Sequence, residues 1–161
     1  MSWVLHRIDD RLIHGQVLVA WGGRLAPERI WVVDDGVAAS SWERELFQDA
    51  APGIDVRVSS VAEAAAIHAS EAAAAGGAFL IVRDLATARR LTEAGALIED
   101  WNIGGLHYAP GKAKVNDYVY LDAADREDAR ELLRAGAGLI VQDVPASRPE
   151  TLLSLDAALA S

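Results

Sequence analysis

The sequence contains no cysteine. This absence excludes a disulfide framework, a thiolate nucleophile, an iron–sulfur cluster and a cysteine-rich zinc site. A chain without disulfides suits a reducing compartment, so we expect a cytoplasmic location.

Basic residues are also scarce, with 15 lysines and arginines against 24 acidic residues and a formal net charge of -9. A nucleic-acid binder needs a concentrated positive field to displace counterions from phosphates. The composition therefore argues against a nucleic-acid partner, and for the same reason against an anionic membrane surface.

Long hydrophobic runs are missing as well. The uncharged stretch 72–82 is about half of the roughly 20 residues that a membrane-spanning helix requires. Near the N-terminus, the charged residues Arg7, Asp9 and Asp10 come too early for the apolar region of a signal peptide. We therefore expect a soluble protein without membrane insertion.

The chain has 161 residues, 52% of them hydrophobic, which is enough for one domain (1–161) with a substantial core. Short β-rich runs alternate with longer helical segments. This alternation predicts an α/β fold, a three-layer α/β/α sandwich with a mostly parallel sheet of about six to seven strands. The candidate strands are Trp3–Ile8, Ile30–Val33, Ile54–Ser59, Phe79–Val82, Trp101–Ile103, Tyr118–Leu121 and Leu139–Val141.

Helix boundaries are marked by capping residues. Gly95 and Gly136 are predicted to end helices. A last helix is predicted after Pro149. Three pairs have capping-box spacing at helix starts: Ser40 with Glu43, Ser60 with Glu63, and Ser147 with Glu150.

The histidines show no metal-binding pattern. None is paired with another at helical i,i+4 spacing around an acidic residue, and no cysteine is present to complete a zinc site. We therefore expect neither a metal nor another cofactor. The four histidines are His6 in the first strand, His14 after it, His68 in a helix and His107 in a loop.

The segment DDRLIHGQV at 9–17 stands apart because it follows the first predicted strand and leads into the first helix. Open parallel sheets keep their sites at this edge. His14 supplies a nucleophilic imidazole, Gly15 lets a ligand approach the backbone, and the helix N-terminus favours an anion. These features predict a phosphoryl site.

Two charged neighbours extend this site. Arg11 can direct two hydrogen bonds to phosphoryl oxygens, and Asp10 can orient either the imidazole or the guanidinium. The competing interpretation is that His14 is a helix cap or a satisfied polar group. A small-molecule-binding domain without phosphoryl chemistry would leave the juxtaposition of Arg11, His14 and Gly15 unexplained.

Four segments together resemble a known family. They are RIDDRLIHGQV at 7–17, VVDD at 32–35, NIGG at 102–105 and GK at 111–112. In sequence and position they resemble the IIB subunit of the mannose/fructose/sorbose class of the bacterial sugar phosphotransferase system (PTS).

The resemblance implies a phosphocarrier. A IIA protein or domain would donate a phosphoryl group to His14, through Nδ1, and the group would pass to a sugar during uptake through the membrane subunits IIC and IID. By position, Arg11 resembles the phosphate-stabilising arginine of the family. Arg7, Asp10, Gly15 and Gln16 would complete the active loop.

Further residues are candidates for the crevice around His14. Asp35 follows the second strand, and Asn102, Gly104 and Gly105 lie at the end of the fifth. The alternative interpretation is that Asp35 starts a turn and that the glycine pair permits a tight bend. Two tryptophans on predicted helices, Trp21 and Trp42, are candidates for a partner surface, although core packing is the favoured interpretation.

Two functions of different classes stay open. The first is a catalytic phosphocarrier in sugar uptake. The second is a regulatory module with the IIB fold that uses the same histidine as a phosphorylation switch, without a dedicated permease. The complete loop favours the first.

We expect the Arg11→Ala variant to fold but to accept a phosphoryl group poorly. Removing one preorganised donor to a transition-state oxyanion typically lowers a rate by roughly 100-fold or more. The measurement is the rate of phosphorylation by a phosphorylated donor protein, and an unchanged rate would contradict the role assigned to Arg11.

Overall fold

The structure, a computed structural model, describes residues 3–160. The strands are β1 Trp3–Asp9, β2 Arg29–Val33, β3 Asp55–Ser59, β4 Ala78–Val82, β5 Asp100–Gly105, β6 Ala113–Asn116, β7 Val119–Leu121, β8 Gly138–Val141 and β9 Glu150–Thr151. The helices are α1, a π-helical segment Val17–Gly22 continued by Gly23–Leu25, then α2 Asp35–Ala38, α3 Ser41–Gln48, α4 Val61–Ala73, α5 Leu85–Glu93, α6 Ala123–Arg134 and α7 Leu152–Leu155, followed by a 3-10 turn Ala157–Ala160.

The main sheet has seven strands in the order β3-β2-β4-β1-β5-β8-β9, all parallel except the short edge strand β9. The predicted α/β sandwich with a mostly parallel sheet is confirmed. Strand β1 is central, with Ile8 in register with Val82 of β4 and Ile103 of β5. The carboxyl ends of β1 and β5 therefore meet at one edge.

Helices cover both faces of the sheet. One apolar cluster contains Leu80 and Trp101 together with residues of α4, α5 and α6, and the other contains Phe79 with Trp21 of α1. Burial of apolar surface on both sides explains why the strands read as nearly continuous hydrophobic runs. Of the helices within residues 3–160, none is long and apolar enough to cross a membrane.

Two strands escaped prediction, and one predicted strand lies outside the main sheet. Strand β7, within the predicted Tyr118–Leu121 run, pairs antiparallel with β6 in a separate ribbon. The turn between β6 and β7 is too short for the crossover of a dozen or more residues that parallel pairing requires. Strand β6 has only four residues, none of them buried, and β9 has two, so neither is long or apolar enough to predict.

Most helix boundaries agree with the capping signals. The hydroxyls of Ser40 and Ser60 accept hydrogen bonds from the Glu43 and Glu63 amides, as predicted. Gly95 and Gly136 follow α5 and α6 with positive φ angles of 105° and 93°. The Ser147–Glu150 prediction is wrong. Glu150 belongs to β9, and the next helix is capped by Thr151.

Two imidazoles are in contact between β1 and α4, those of His6 and His68. Nε2 of His6 lies 2.9 Å from Nε2 of His68, and the His68 ring stacks on Trp3 with centroids 4.8 Å apart. Burial, followed by repulsion from His68, lowers the pKa of His6 from 6.5 to about 3. The folded protein therefore holds this ring neutral at pH values where the unfolded chain would protonate it.

We expect the free energy of unfolding to fall as the pH drops from about 6.5 toward about 3, because the unfolded state then binds a proton that folded His6 does not. A His6→Gln variant should show a shallower slope, smaller by up to about 1.4 kcal/mol per pH unit. Urea unfolding at a series of pH values measures both slopes, and equal slopes would contradict the prediction.

Candidate active site

His14 stands at the start of the first helix. Its carbonyl accepts a hydrogen bond from the Leu18 amide at 3.1 Å, and residues 15–25 are helical. The first amides of a helix have no acceptor within it, and they carry the positive end of the helix dipole. Phosphoryl oxygens next to His14 would meet these groups, as in other helix N-terminal anion sites.

The loop before His14 is held by buried apolar side chains. Leu12 is fully buried although its φ of 56° lies in the left-handed region that favours glycine. Its amide donates to the Asp9 carbonyl at 2.9 Å, and Ile13 packs into the same core cluster. Strained backbone of this kind persists only where the surroundings over-determine it. The loop therefore presents His14 from a fixed base.

The buried carboxylate of Asp9 is the centre of the site. Its Oδ2 lies 3.2 Å from Nε2 of His14 and 3.4 Å from a terminal nitrogen of Arg7. Its Oδ1 accepts from the backbone amide of Arg11 at 3.1 Å and from Nε of Arg11 at 3.4 Å. One carboxylate thus contacts the imidazole and both arginines.

Sequence analysis assigned this orienting position to Asp10, whereas the structure gives it to Asp9. Alternate residues of a strand point to the same face, so Asp9 lies on the Arg7 side of β1. Asp10 starts the following turn, and its carboxylate binds His107 instead. The spacing of two between Arg7 and Asp9 was the signal that could have identified Asp9.

Arg7 is fully buried below Asp9. Its guanidinium donates to Oδ1 of Asn102 and to the carbonyls of Gln142 at 3.1 Å and Asp143 at 2.9 Å. Burial lowers the pKa of Arg7 to about 10, and Asp9 opposes this shift. The guanidinium therefore stays charged at neutral pH, as a fixed cation behind the active loop.

The indole ring of Trp21 packs against the guanidinium of Arg7. Cζ of Arg7 lies 5.0 Å from the centre of the Trp21 ring, and the indole N–H donates to the Asp143 carbonyl at 2.8 Å. The core-packing interpretation is confirmed for Trp21 but is wrong for Trp42, which is 66% exposed. Gln142 and Asp143 contribute to the site through main-chain carbonyls, which leave no mark in the sequence.

The two glycines at the end of β5 let side chains of the site approach the backbone closely. A Cβ on Gly104 would overlap the terminal guanidinium atoms of Arg7, and a Cβ on Gly105 would lie 2.8 Å from Cε1 of His107. Asn102 and Gly104 therefore lie against Arg7, and Gly105 lies against His107 and Asp9. Their role in lining a crevice around His14 stays a prediction.

The remaining predicted residues divide into two groups. The Arg11 side chain is 43% exposed and donates to Oε1 of Gln16 at 3.1 Å, next to the open backbone of Gly15. Asp35 is not part of this group. Its carboxylate accepts from the Val61 amide at 2.9 Å and pairs with Arg90.

The electrostatic surroundings favour a neutral His14 ring. Burial is the largest influence and lowers the pKa of His14, while Asp9 raises it and the two arginines lower it further. An ionised carboxylate can only accept, so the proton of the neutral ring lies on Nε2, facing Asp9. Nδ1 then carries the lone pair of the neutral ring.

The site is an open surface rather than an enclosed pocket. The lining of a nearby cavity of about 710 Å³ includes Trp3, His6 and His68 but neither Arg11 nor His14. This cavity shares Trp21, Asn102 and Gln142 with the surroundings of Arg7. The imidazole of His14 is 16% exposed beside the more exposed Arg11. The partly exposed imidazole therefore lies at the protein surface, beside Arg11.

Comparisons with known proteins agree with this geometry. Residues 3–158 match the family model described as "PTS system sorbose subfamily IIB component". The chain is 34% identical over 151 residues to the N-acetylgalactosamine-specific phosphotransferase enzyme IIB component 1 of Escherichia coli (strain K12), covering 92% of this chain and 95% of the relative. It is 35% identical over 150 residues to the sorbose-specific EIIB component of Klebsiella pneumoniae, covering 92% and 91%.

Solved structures give the same result. The crystal structure of the IIBSor domain of the sorbose permease from Klebsiella pneumoniae superposes with a TM-score of 0.87 at 32% identity, covering 96% of each chain. The chain belongs to the sorbose subfamily of PTS IIB components. It is thus a phosphotransferase component of a sugar phosphotransferase system.

We expect the Asp9→Asn variant to lose about 3 kcal/mol or more of unfolding free energy, because it leaves the buried Arg7 cation without its counter-charge. The pKa of His14 should also fall, since Asp9 raises it in the wild type. Urea unfolding and NMR titration of the His14 ring measure these effects.

The matched control is Asp10→Asn, whose carboxylate is partly exposed and contacts His107. We expect this variant to lose less than about 1 kcal/mol. Equal losses in the two variants would contradict the central role of Asp9.

Proposed function

We propose that this chain is the phosphocarrier between a phosphorylated IIA protein or domain and a sugar, and that His14 carries the phosphoryl group on Nδ1. The observation that carries the proposal is the contact between Nε2 of His14 and the buried carboxylate of Asp9. This contact leaves Nδ1 as the free nucleophile at a helix N-terminus.

The transfer step balances without a cofactor. The Nδ1 lone pair of His14 attacks phosphorus while the bond from phosphorus to the donor's histidine nitrogen breaks, and the donor keeps that electron pair. The phosphorylated ring retains its Nε2 proton and becomes cationic, and Asp9 neutralises that charge. Arg11 and the first helix amides are placed to bind the phosphoryl oxygens, so positioning and electrostatics supply the catalysis.

The second transfer sends the group to a sugar. A sugar hydroxyl attacks phosphorus and releases its proton to solvent, while the bond from phosphorus to Nδ1 breaks. His14 recovers its lone pair on Nδ1 and keeps its proton on Nε2. In this proposal the chain works in the cytoplasm, and the sugar binds to the membrane subunits IIC and IID. Relatives with similar identity to this chain are named for N-acetylgalactosamine, mannose and sorbose, which agrees with sugar choice residing outside the IIB component.

We expect one acid-labile phosphohistidine after incubation with phosphoenolpyruvate, the two general phosphotransferase proteins and a mannose-class IIA. Intact mass and ³¹P NMR detect it, and the ³¹P signal distinguishes Nδ1 from Nε2. The His14→Ala variant should stay unmodified. His68→Gln, which changes a histidine outside the site, should be phosphorylated like the wild type.

Two results decide the proposal. No phosphorylation by a demonstrably active cognate IIA would overturn it. Phosphorylation without transfer to sugar in membranes that contain the cognate IIC and IID would favour the regulatory module instead.

A further inference from the structure

We propose that His107 is a positioning residue of the phosphotransfer site, which acts through Asp10 to fix the turn that presents Arg11 and His14. This inference rests on the proposed function for its effect on transfer. His107 lies in the loop after β5, more than ninety positions along the chain from the turn that it contacts.

His107 holds Asp10 with two donors. Its backbone amide donates to Oδ2 of Asp10 at 2.7 Å, and its ring Nδ1 lies 2.7 Å from Oδ1. The ionised carboxylate can only accept, so Nδ1 carries a proton and donates it. Both oxygens of Asp10 are thereby fixed, although the side chain is partly exposed.

The same turn is attached to β5 by its backbone. The Asp10 amide donates to the Gly105 carbonyl at 2.9 Å. Together with the two bonds from His107, three hydrogen bonds join one residue of the turn to one segment of chain. This residue directly precedes Arg11, whose amide and side chain both contact Asp9.

Gly105 allows the His107 ring to reach this position. The point where a Gly105 Cβ would lie is 2.8 Å from Cε1 of His107 and 3.4 Å from Oδ1 of Asp9. The imidazole edge and the Asp9 carboxylate therefore lie against the same backbone position.

The structure also separates the two ring nitrogens by role. Nδ1 holds Asp10, whereas Nε2 makes no hydrogen bond to any of residues 3–160. The side chain is 44% exposed, so its contribution to the buried core is small. The geometry thus assigns the positioning effect to Nδ1, which substitutions can test separately from Nε2.

Three substitutions test this assignment. His107→Ala removes both ring nitrogens and keeps the backbone amide. His107→Asn keeps a side-chain amide donor near the position of Nδ1, and His107→Gln places its amide near the position of Nε2. We expect the alanine variant to lower kcat for transfer from phosphorylated IIA by between about tenfold and a hundredfold, since small misplacements of reacting groups have effects of this size. KM for the donor should stay within about twofold.

Rescue distinguishes positioning from general structural damage. The asparagine variant should recover most of the wild-type kcat and the glutamine variant should not. The control is Tyr108→Ala, which removes an exposed ring that contacts Tyr120 rather than Asp10. This control should leave kcat and KM unchanged, and thermal unfolding checks that all variants are folded.

A second measurement is independent of phosphoryl transfer. Amide hydrogen exchange of Arg11 and Leu12, which both donate to Asp9, should accelerate about tenfold in His107→Ala and return toward wild type in His107→Asn. If wild-type protein accepts no phosphoryl group, the proposed function fails, and exchange alone still decides the role of His107. Wild-type exchange or wild-type kcat in His107→Ala, or no rescue by asparagine, overturns the inference.

Discussion

The rest of the site depends on one constraint. A buried guanidinium needs a counter-charge and hydrogen-bond acceptors for most of its N–H groups. Arg7 meets this requirement with the Asp9 carboxylate, the Asn102 side chain and the carbonyls of Gln142 and Asp143. Removing a charge from water is expensive unless it is paired and hydrogen-bonded. The carboxyl ends of β1, β5 and β8 are therefore joined around a single cation.

The carboxylate that stabilises the buried Arg7 also determines the geometry around His14. Asp9 is present as the counter-charge of Arg7, and the same carboxylate contacts His14 and Arg11. It fixes which imidazole nitrogen bears the proton, and it holds Arg11 at the solvent-exposed side. A fully buried ion pair thus supports a partly exposed histidine at the protein surface.

The fold followed from the sequence to a large extent, because strands buried on two faces are almost entirely apolar and helix starts carry capping residues. The sequence also predicted an active loop, from a histidine and a glycine between a strand and a helix, and the catalytic roles of its residues stay predictions. Predictions failed for short, exposed strands such as β6. They also failed where two acidic residues are adjacent in the sequence, as Asp9 and Asp10 are. Choosing Asp9 over Asp10 required knowing which face of β1 each side chain occupies. Asp35 was misplaced because β4 lies between β2 and β1.

The Asp9 carboxylate, shared by Arg7, Arg11 and His14, also affects how readily a phosphoryl group bound at the site could be released. Arg11 and a helix N-terminus, with the buried charge of Arg7 behind them, would alone attract a phosphoryl dianion strongly. The negative charge of Asp9, fixed between Arg7 and Arg11, offsets part of that attraction. If His14 carries the phosphoryl group as proposed, we expect this balance to bring the free energy of the phosphorylated state closer to those of its donor and acceptor.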